Sequence, residues 1–241
     1  MVIDSINNQK IKYLNKLKDK KYREEEDKFI VEGYHLVEEA YKKGILTTLF
    51  KQENDSFSLD VETYEVSSNI FSKLTDLNNS HQVIGICKKI YNEIVGDRLL
   101  LLDNIQDPGN LGTIIRSSKA FNVDTIVLSN DTVDIYNLKV LRATGGNIFH
   151  INFVYRDLKE TIVELKKSEF KVYATDVKEG LDVVGVKDKK VAVIVGNEGN
   201  GVKPEIKNMC DNSIHIKTNS DVESLNVAMA TTIILYELDK E

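Results

Sequence analysis

Hydrophobic residues along the first ninety positions recur at the spacings of both helices and strands. Apolar residues every three or four positions predict amphipathic helices, whereas short runs of valine, isoleucine and phenylalanine predict strands. The predicted helices are 6–22, Tyr34–Lys43 ended by Gly44, and Ser68–Leu77, and the predicted strands are Phe29–Val31, Leu46–Phe50, Val61–Val66 and Val83–Lys88. We expect these elements to form a small α/β domain over residues 1–95.

The pattern changes after residues 91–97, which lack periodicity, contain a glycine and form the best candidate linker. Beyond them, short apolar runs alternate with helical segments, which is typical of a parallel sheet covered on both faces. Residues 98–241 are therefore expected to form a second α/β domain of the nucleotide-binding type, with strands Leu99–Leu102, Thr125–Leu128, Val172–Ala174, Val191–Val195 and Ser213–Ile216.

The last predicted helix, Val227–Leu238, is apolar on nearly all sides. A helix that packs on one sheet buries only one face. A second subunit would cover the other face, so the sequence predicts a homodimer.

The net charge of −6 argues against a protein that coats nucleic acid indiscriminately. Basic residues are nevertheless concentrated between Lys10 and Arg23, where seven lysines and arginines are opposed only by Asp19. A solvated helix face explains this cluster as well as an RNA-binding surface does.

The remaining composition excludes several classes of protein. The first eight residues lack the pattern of a signal peptide, and no apolar run reaches the roughly 20 residues that cross a bilayer, so we expect a cytoplasmic protein without membrane contact. Cys87 and Cys210 are far apart and are expected to be buried, reduced thiols. No metal site is expected.

Polar residues follow the first strand of the second half and lead into a predicted helix, Leu111–Phe121. Ligands of open α/β sheets bind at such loops. Arg116 would project away from the apolar stripe of the helix and could reach a ligand. Taken alone, Asn110 could be a helix N-cap and Arg116 a surface cation.

Two further loops carry polar residues at the ends of predicted strands. Residues 196–202 contain three glycines around Glu198, but their spacing fits neither the dinucleotide motif nor a P-loop, so a classical NAD or NTP site is poorly supported. The glycines allow the backbone to approach a ligand closely. Ser224, Leu225 and Asn226 open the last helix, where Ser224 alone could be an N-cap.

Together these loops resemble the motifs of the SpoU/TrmH family of RNA ribose 2′-O-methyltransferases, part of the SPOUT class. The matching residues occur in the family's order and are Asp107-Pro108-Gly109-Asn110-Leu111-Gly112 with Arg116 and Phe121, Gly196-Asn197-Glu198-Gly199 with Gly201, and Ser224-Leu225-Asn226-Val227 with Leu235-Tyr236-Glu237. The chain departs from the family at Lys217-Thr218, where a Pro-Met pair is common, and at Ser220, near a usual glycine.

The resemblance implies a deep C-terminal trefoil knot, an exception to the rule that chains avoid knots. It also implies a dimer whose interface lies beside the cofactor, and S-adenosylmethionine as the methyl donor without a metal. The implied cofactor-binding residues are Gly196, Ile216, Leu225, Thr175 and Asn197. The implied catalytic residues are Arg116, Asn110, Glu198, Ser224 and Asn226.

Residues 10–90 resemble the RNA substrate-binding domain that often precedes this catalytic domain, notably at Phe29–Gly33 and Gln82–Gly85. Structured RNA is thus the implied partner, and both ribosomal and transfer RNA stay open. The expected RNA contacts are Lys10, Lys16, Lys18, Lys20, Lys21 and Arg23, with Arg142 in the segment 139–150.

The family resemblance implies that Arg116 is central to catalysis. One proposal is that Arg116 itself accepts the proton of the ribose hydroxyl. A guanidinium rarely loses its proton, so we favour a clamp on phosphate and on the developing alkoxide. Asn110, Glu198 and Asn226 would orient it, and Glu198 could help to remove the proton. The alternatives are a non-catalytic RNA-binding or ribosome-assembly factor on the same fold and, more weakly, a base methyltransferase of tRNA.

Overall fold

The computed structural model describes residues 2–75, 83–177, 179–219, 221 and 223–240. The predicted positions Leu77, Gln82 and Ser220 lie outside these described residues. Within the described part of the chain, every helix is too short or too polar to traverse a bilayer.

The first ninety residues form a mixed five-stranded sheet with helices around it. Its strands are β1 (Val2–Ile3), β2 (Lys28–Glu32), β3 (Leu46–Gln52), β4 (Glu62–Val66) and β5 (Val83–Lys88), in the order β1-β4-β3-β5-β2. The helices are α1 (Gln9–Lys16), α2 (Lys20–Glu26), α3 (Tyr34–Lys42) and α4 (Ser68–Phe71). The predicted strands are confirmed, because their buried residues alternate or run continuously as the sequence pattern required.

The single helix predicted over 6–22 is wrong, because the chain forms two helices there. Asp19 separates the two helices because it is the N-cap of α2, where its side chain accepts the N–H of Lys21 at 2.9 Å. The guanidinium of Arg23 donates to the carbonyls of Leu17 at 3.0 Å and Lys18 at 2.6 Å, which satisfies the end of α1.

The second half of the chain forms a seven-stranded sheet in which all pairs are parallel. Its strands are β6 (Arg98–Leu102), β7 (Thr125–Leu128), β8 (Asn152–Tyr155), β9 (Lys171–Thr175), β10 (Leu181–Asp182), β11 (Val191–Val195) and β12 (Asn212–His215). The helices are α5 (Pro108–Ala120), α6 (Leu138–Thr144), α7 (Leu158–Lys167), α8 (Pro204–Lys207) and α9 (Val227–Asp239). The predicted α/β class with a parallel sheet is confirmed.

The strand order of this sheet is β10-β12-β9-β11-β6-β7-β8. The sequence pattern missed β8 and β10, which are the two edge strands and are partly exposed. The five predicted strands occupy the middle, where β6 and β11 are buried on both faces and carry continuous apolar runs. The order is compatible with the trefoil knot, which stays a prediction.

Contacts divide the chain into two compact units that are each discontinuous in sequence, and the predicted domain bounds, 1–95 and 98–241, stay a prediction. The first unit comprises Met1–Ile90 and Tyr136–Phe149, and the second comprises Tyr91–Ile135 and His150–Glu241. The predicted linker lies in the second unit because Val95 is bound to Thr125, whose hydroxyl accepts its N–H at 3.1 Å and donates to its carbonyl at 2.8 Å.

Residues 136–149 come from the later sequence yet pack within the first unit. The ring of Tyr136 lies 4.3 Å from that of Phe29 between centroids, and its hydroxyl accepts the N–H of Ile90 at 2.9 Å. Arg142, on α6, forms an ion pair with the buried Glu32 at the end of β2. No periodicity in the sequence predicts this packing, because it depends on pairs of residues that lie far apart in the chain.

Candidate active site

The loops that carry the predicted catalytic residues begin at the same edge of the parallel sheet. Leu102, at the end of β6, is paired with Val195, at the end of β11, and with Leu128, at the end of β7. The three strands therefore end together, and the loops 103–107, 129–133 and 196–203 are neighbours. This is the edge at which open α/β sheets bind ligands.

Glu198 joins the loop after β11 to the loop after β6. Its carboxylate accepts the main-chain N–H of Asp107 at 3.0 Å and of Gln106 at 3.2 Å, and the side-chain amide of Asn110 at 3.2 Å. Burial alone would raise the pKa of Glu198, but these hydrogen bonds outweigh it and lower the pKa below its ordinary value. Glu198 is therefore an ionised hydrogen-bond acceptor at neutral pH.

Asn110 continues this network to the last helix. The side-chain amide of Asn226 donates to the side-chain carbonyl of Asn110 at 3.0 Å. The side-chain oxygen of Asn226 also caps α9, where it accepts the N–H of Ala228 at 3.0 Å and of Met229 at 3.2 Å. Asn226 thus positions the start of α9 against the first motif.

The structure decides the two helix-cap interpretations that the sequence left open. Asp107 caps α5 by accepting the N–H of Asn110 at 2.8 Å, so Asn110 lies inside the first turn and its side chain is free for Glu198 and Asn226. Ser224 precedes α9 but is not its cap, since Asn226 has that position. The N-cap explanation is therefore wrong for both residues.

Arg116 projects from the exposed face of α5, as the helical pattern predicted. Among the described residues, its guanidinium has no hydrogen-bond or ion-pair partner. The structure thus joins Glu198, Asn110 and Asn226 directly, whereas Arg116 and Ser224 remain exposed and unattached to them.

A cavity of about 560 Å³ opens beside this network. All five predicted cofactor-binding residues line it, together with Glu198 and Ser224. Apolar side chains such as Val195, Val227 and Ile234 form part of its wall. Its volume falls within the range of roughly 300–1,000 Å³ of small-molecule sites. Thr218, at the departure from the family's Pro-Met pair, is also part of the lining.

The glycine at position 196 is required by the shape of the loop. A Cβ atom on Gly196 would lie 2.0 Å from the carbonyl carbon of Gly201 and from the nitrogen of Val202. Asn197 and Gly201 exchange main-chain hydrogen bonds of 2.9 and 3.0 Å, which close the loop on itself. The side-chain amide of Asn197 donates to the carbonyl of Asn104 at 2.9 Å and ties the two loops together.

An ion-pair cluster that the sequence pattern did not predict lies next to this loop. The ammonium of Lys203 lies 3.2 Å from Asp103, which is almost fully buried, and 2.7 Å from Asp131. Buried Asp103 at a strand end could have been singled out from sequence, because a carboxylate there needs a partner. Within the described residues, no cluster of histidine, cysteine, aspartate or glutamate could hold a metal ion.

The predicted RNA contacts in the first unit differ in their surroundings. Lys10 is 3.7 Å from Glu62, Lys18 donates to the carbonyl of Leu74 at 2.6 Å, and Lys16 lies over the ring of Tyr22. Lys20 and Lys21 are exposed and 3.7–3.8 Å from Glu24 and Glu25, respectively. These exposed lysines remain candidates for RNA contact.

Two of the predicted RNA contacts, Arg23 and Arg142, have polar partners within the first unit. Arg23 is buried and donates to two main-chain carbonyls inside the domain. Arg142 is paired with Glu32, which has a side chain only 2% exposed. Both arginines hold the first unit together, and their contact with RNA stays a prediction.

Comparison with known proteins identifies the family. Residues 97–236 match the model of the SpoU rRNA Methylase family. The chain belongs to this SpoU family. Residues 8–85 match a second family model, described as the MRM3-like substrate binding domain. The family and the RNA methyltransferase class predicted from the three loops are confirmed.

The SpoU family membership is supported by relatives of nearly equal length. The chain is 38% identical over 243 aligned positions to the "23S rRNA (guanosine(2553)-2′-O)-methyltransferase RlmP" of Bacillus subtilis, covering 98% of each chain. It also resembles the crystal structure of an rRNA methyltransferase from Sinorhizobium meliloti, with 29% identity, a TM-score of 0.88, and coverage of 99% of this chain and 96% of that one. The crystal structure of an AdoMet-bound rRNA methyltransferase from Sinorhizobium meliloti gives a TM-score of 0.87 at 29% identity, covering 99% of this chain and 97% of that one.

Proposed function

We propose that this protein transfers a methyl group from S-adenosylmethionine to a ribose 2′-hydroxyl of ribosomal RNA, with 23S rRNA as the target. The observation that carries the proposal is the 38% identity to the Bacillus enzyme over 98% of both chains. A relative that matched only the catalytic domain would support the chemistry but not the target. Here the match includes the substrate-binding domain, which favours ribosomal RNA over tRNA.

The cavity fits the proposed methyl donor. Its wall combines apolar side chains with the polar backbone of residues 196–201, and loop backbone can hydrogen-bond an adenine ring and the ends of an amino acid. S-adenosylmethionine supplies an electrophilic methyl group on a sulfonium. The residues that would hold it are Gly196, Asn197, Ile216 and Leu225, with Thr175 at the end of β9.

The reaction forms a bond between the ribose oxygen and the methyl carbon and breaks the carbon–sulfur bond, so that S-adenosylhomocysteine leaves and the hydroxyl proton passes to solvent water. Catalysis then requires the hydroxyl to be held in line and its developing charge to be stabilised. Asn110 is suited to orienting the ribose, because Glu198 and Asn226 fix its side chain from two sides. Ser224 would offer its exposed hydroxyl at the cavity.

Arg116 acts in this proposal as the clamp for phosphate and developing alkoxide. Its exposed guanidinium has no partner among the described residues and keeps its five donors available. Glu198 is a positioning group rather than a proton acceptor, since three hydrogen bonds hold it in its ionised form and make it a weak base. In the hypothesis drawn from the sequence, Glu198 could also help to remove the proton, and this proposal leaves it only the positioning role.

A homodimer through α9 is part of the proposal. Ala228, Thr231, Ile234 and Leu235 are the buried residues of the helix, whereas Met229 and Tyr236 are 59% and 49% exposed. A second copy that covered these side chains would complete the burial of this apolar helix. Light scattering should give twice the mass of the chain, and Met229→Glu should shift the protein to monomers. A wild-type monomer at micromolar concentration would refute this part.

The experiment that tests the function compares 2′-O-methylation in total RNA from cells with and without the gene. We expect one 23S rRNA position to lose its modification, and purified protein to restore it with S-adenosylmethionine. Modification lost from tRNA instead would refute the target. An unchanged methylation map together with impaired ribosome assembly would favour the non-catalytic factor. A ribosomal RNA substrate also implies a cytoplasmic location.

A further inference from the structure

Lys203 differs from every other residue between Val195 and Pro204, because all the others line the cavity and it does not. Its side chain instead contacts Asp103 and Asp131. Its main-chain N–H donates to Oδ2 of Asp103 at 2.9 Å, and its ammonium lies 3.2 Å from Oδ1 of the same carboxylate. One residue thus binds both oxygens of a buried carboxylate.

The ammonium of Lys203 also contacts Asp131 at 2.7 Å. Asp103 follows β6, Asp131 follows β7, and Lys203 ends the loop after β11. Burial would raise the pKa of Asp131, but hydrogen bonds from Lys203 and Ser129 outweigh it and lower that pKa. The hydrogen bond to Asp131 in turn raises the pKa of Lys203, although partial burial acts in the opposite direction. The charges of Lys203 and Asp131 persist at neutral pH and tie three adjacent loops together.

The Gly-rich loop, residues 196–203, is fixed to the loop 103–107 at two places near its beginning. Asn197 donates to the carbonyl of Asn104, and Glu198 accepts the N–H groups of Gln106 and Asp107. At the end of the Gly-rich loop, the contact between Lys203 and Asp103 attaches it to the loop 103–107 a third time. Neither residue belongs to the three motifs that the family resemblance identified.

We propose that Lys203 is a positioning residue for the cofactor, which holds the Gly-rich wall of the cavity from behind by binding Asp103 and Asp131. The inference rests on the proposed function, because it takes S-adenosylmethionine as the ligand of this cavity. Lys203 does not touch the ligand. It determines how well the backbone of residues 196–202 is preorganised to bind it, and preorganisation lowers the entropic cost of binding.

Titration calorimetry of the full chain with S-adenosylmethionine tests the proposal. We expect Lys203→Met to weaken binding about tenfold, which corresponds to the loss of one charge-assisted hydrogen bond. Lys203→Arg should recover most of the affinity, since it keeps the cation. The matched control is Lys159→Met, which removes an exposed lysine 4.0 Å from Glu205 of the adjacent α8 and should bind like wild type.

Kinetics separate positioning from general damage. In Lys203→Met we expect the KM for S-adenosylmethionine to rise about tenfold while kcat at saturation stays within about twofold of wild type. The double variant Asp103→Asn/Lys203→Met, which no longer buries an unpaired carboxylate, should regain part of the affinity. Wild-type affinity in Lys203→Met, or a loss of kcat with unchanged KM, would overturn the proposal.

A second variant covers the case in which Lys203→Met does not fold. Asp131→Asn changes a half-exposed side chain and leaves the contact between Lys203 and Asp103 intact. The affinity of Asp131→Asn for S-adenosylmethionine should fall about threefold, as expected for a partly screened ion pair. Wild-type affinity in this variant would contradict the proposed role of the cluster of Lys203, Asp103 and Asp131. If the wild-type protein itself bound no S-adenosylmethionine, the proposed function would fail first, which distinguishes the two hypotheses.

Discussion

The side-chain amide of Asn110 donates to the carboxylate of Glu198 across 3.2 Å, although the two residues are 88 positions apart in the chain. This bond links the first turn of α5 to the loop after β11. Since Asn226 donates to the other end of the Asn110 side chain, the three predicted motifs meet at a single amide group. An amide held from both sides has one orientation, which suits a residue that positions a substrate.

Glu198→Gln should lower kcat by about 10- to 100-fold. Hydrogen bonds to a charged acceptor contribute about 1.5–3 kcal/mol each, and a neutral amide would also present donors to the N–H groups of Gln106 and Asp107. Methyl transfer from labelled S-adenosylmethionine to 23S rRNA measures the change. Glu205→Gln, at an exposed position of α8, is the control. Activity of Glu198→Gln equal to that of the wild type would contradict the positioning role.

The stability difference between wild type and Glu198→Gln should depend on pH. The pKa of Glu198 is lowered below its ordinary value of 4.5, so its ionised form stabilises the folded state above that pH. This contribution disappears as the pH falls from about 4.5 through the lowered pKa. Thermal unfolding should therefore show the largest Tm difference near neutral pH, and the difference should shrink as the pH falls below about 4.5. A difference independent of pH would refute this assignment.

Arg116→Lys should lose at least about 100-fold in kcat, because the clamp depends on the planar, bidentate geometry of a guanidinium and not on charge alone. Its Tm should equal that of the wild type, since the side chain is exposed and has no partner among the described residues. Lys119→Met, exposed on the same helix, serves as the control. Near-wild-type turnover by Arg116→Lys would exclude the clamp.

Gly196→Ala should destabilise the second unit by about 1–3 kcal/mol and weaken cofactor binding, because the added Cβ would collide with the backbone of Gly201 and Val202. Gly199→Ala is the matched control, since its Cβ would meet only the Asn197 side chain at 3.6 Å. Denaturant unfolding and calorimetry measure both effects. Equal behaviour of the two variants would contradict the steric explanation.

Arg142→Met should lower the free energy of unfolding by about 2–4 kcal/mol. It leaves the carboxylate of Glu32 buried without its cation, and Arg142 itself is partly exposed, which reduces the full cost of breaking a buried pair. Lys139→Met, exposed on the same helix, should have little effect. If Arg142 contacted RNA instead, its loss would raise the KM for RNA and leave the unfolding curve unchanged.

The sequence alone determined the central strands of both sheets, the family and the residues of the three motifs. These features depend on local information. A strand covered on both faces must be continuously apolar, and a loop that approaches a ligand needs glycines at fixed spacing. The continuous runs at Leu99–Leu102 and Val191–Val195 therefore identified β6 and β11, and Gly196 identified the tight loop after β11.

Only the tertiary structure decided which side chains are partners. Arg23 and Arg142 look like other basic residues in the sequence, but one satisfies carbonyls at a helix end and the other neutralises buried Glu32. Lys203 belongs to no motif, yet it binds carboxylates that follow two other strands. A hydrogen bond or ion pair depends on distances of about 3 Å between residues far apart in the chain, and these distances exist only after the sheet has set the register of its strands.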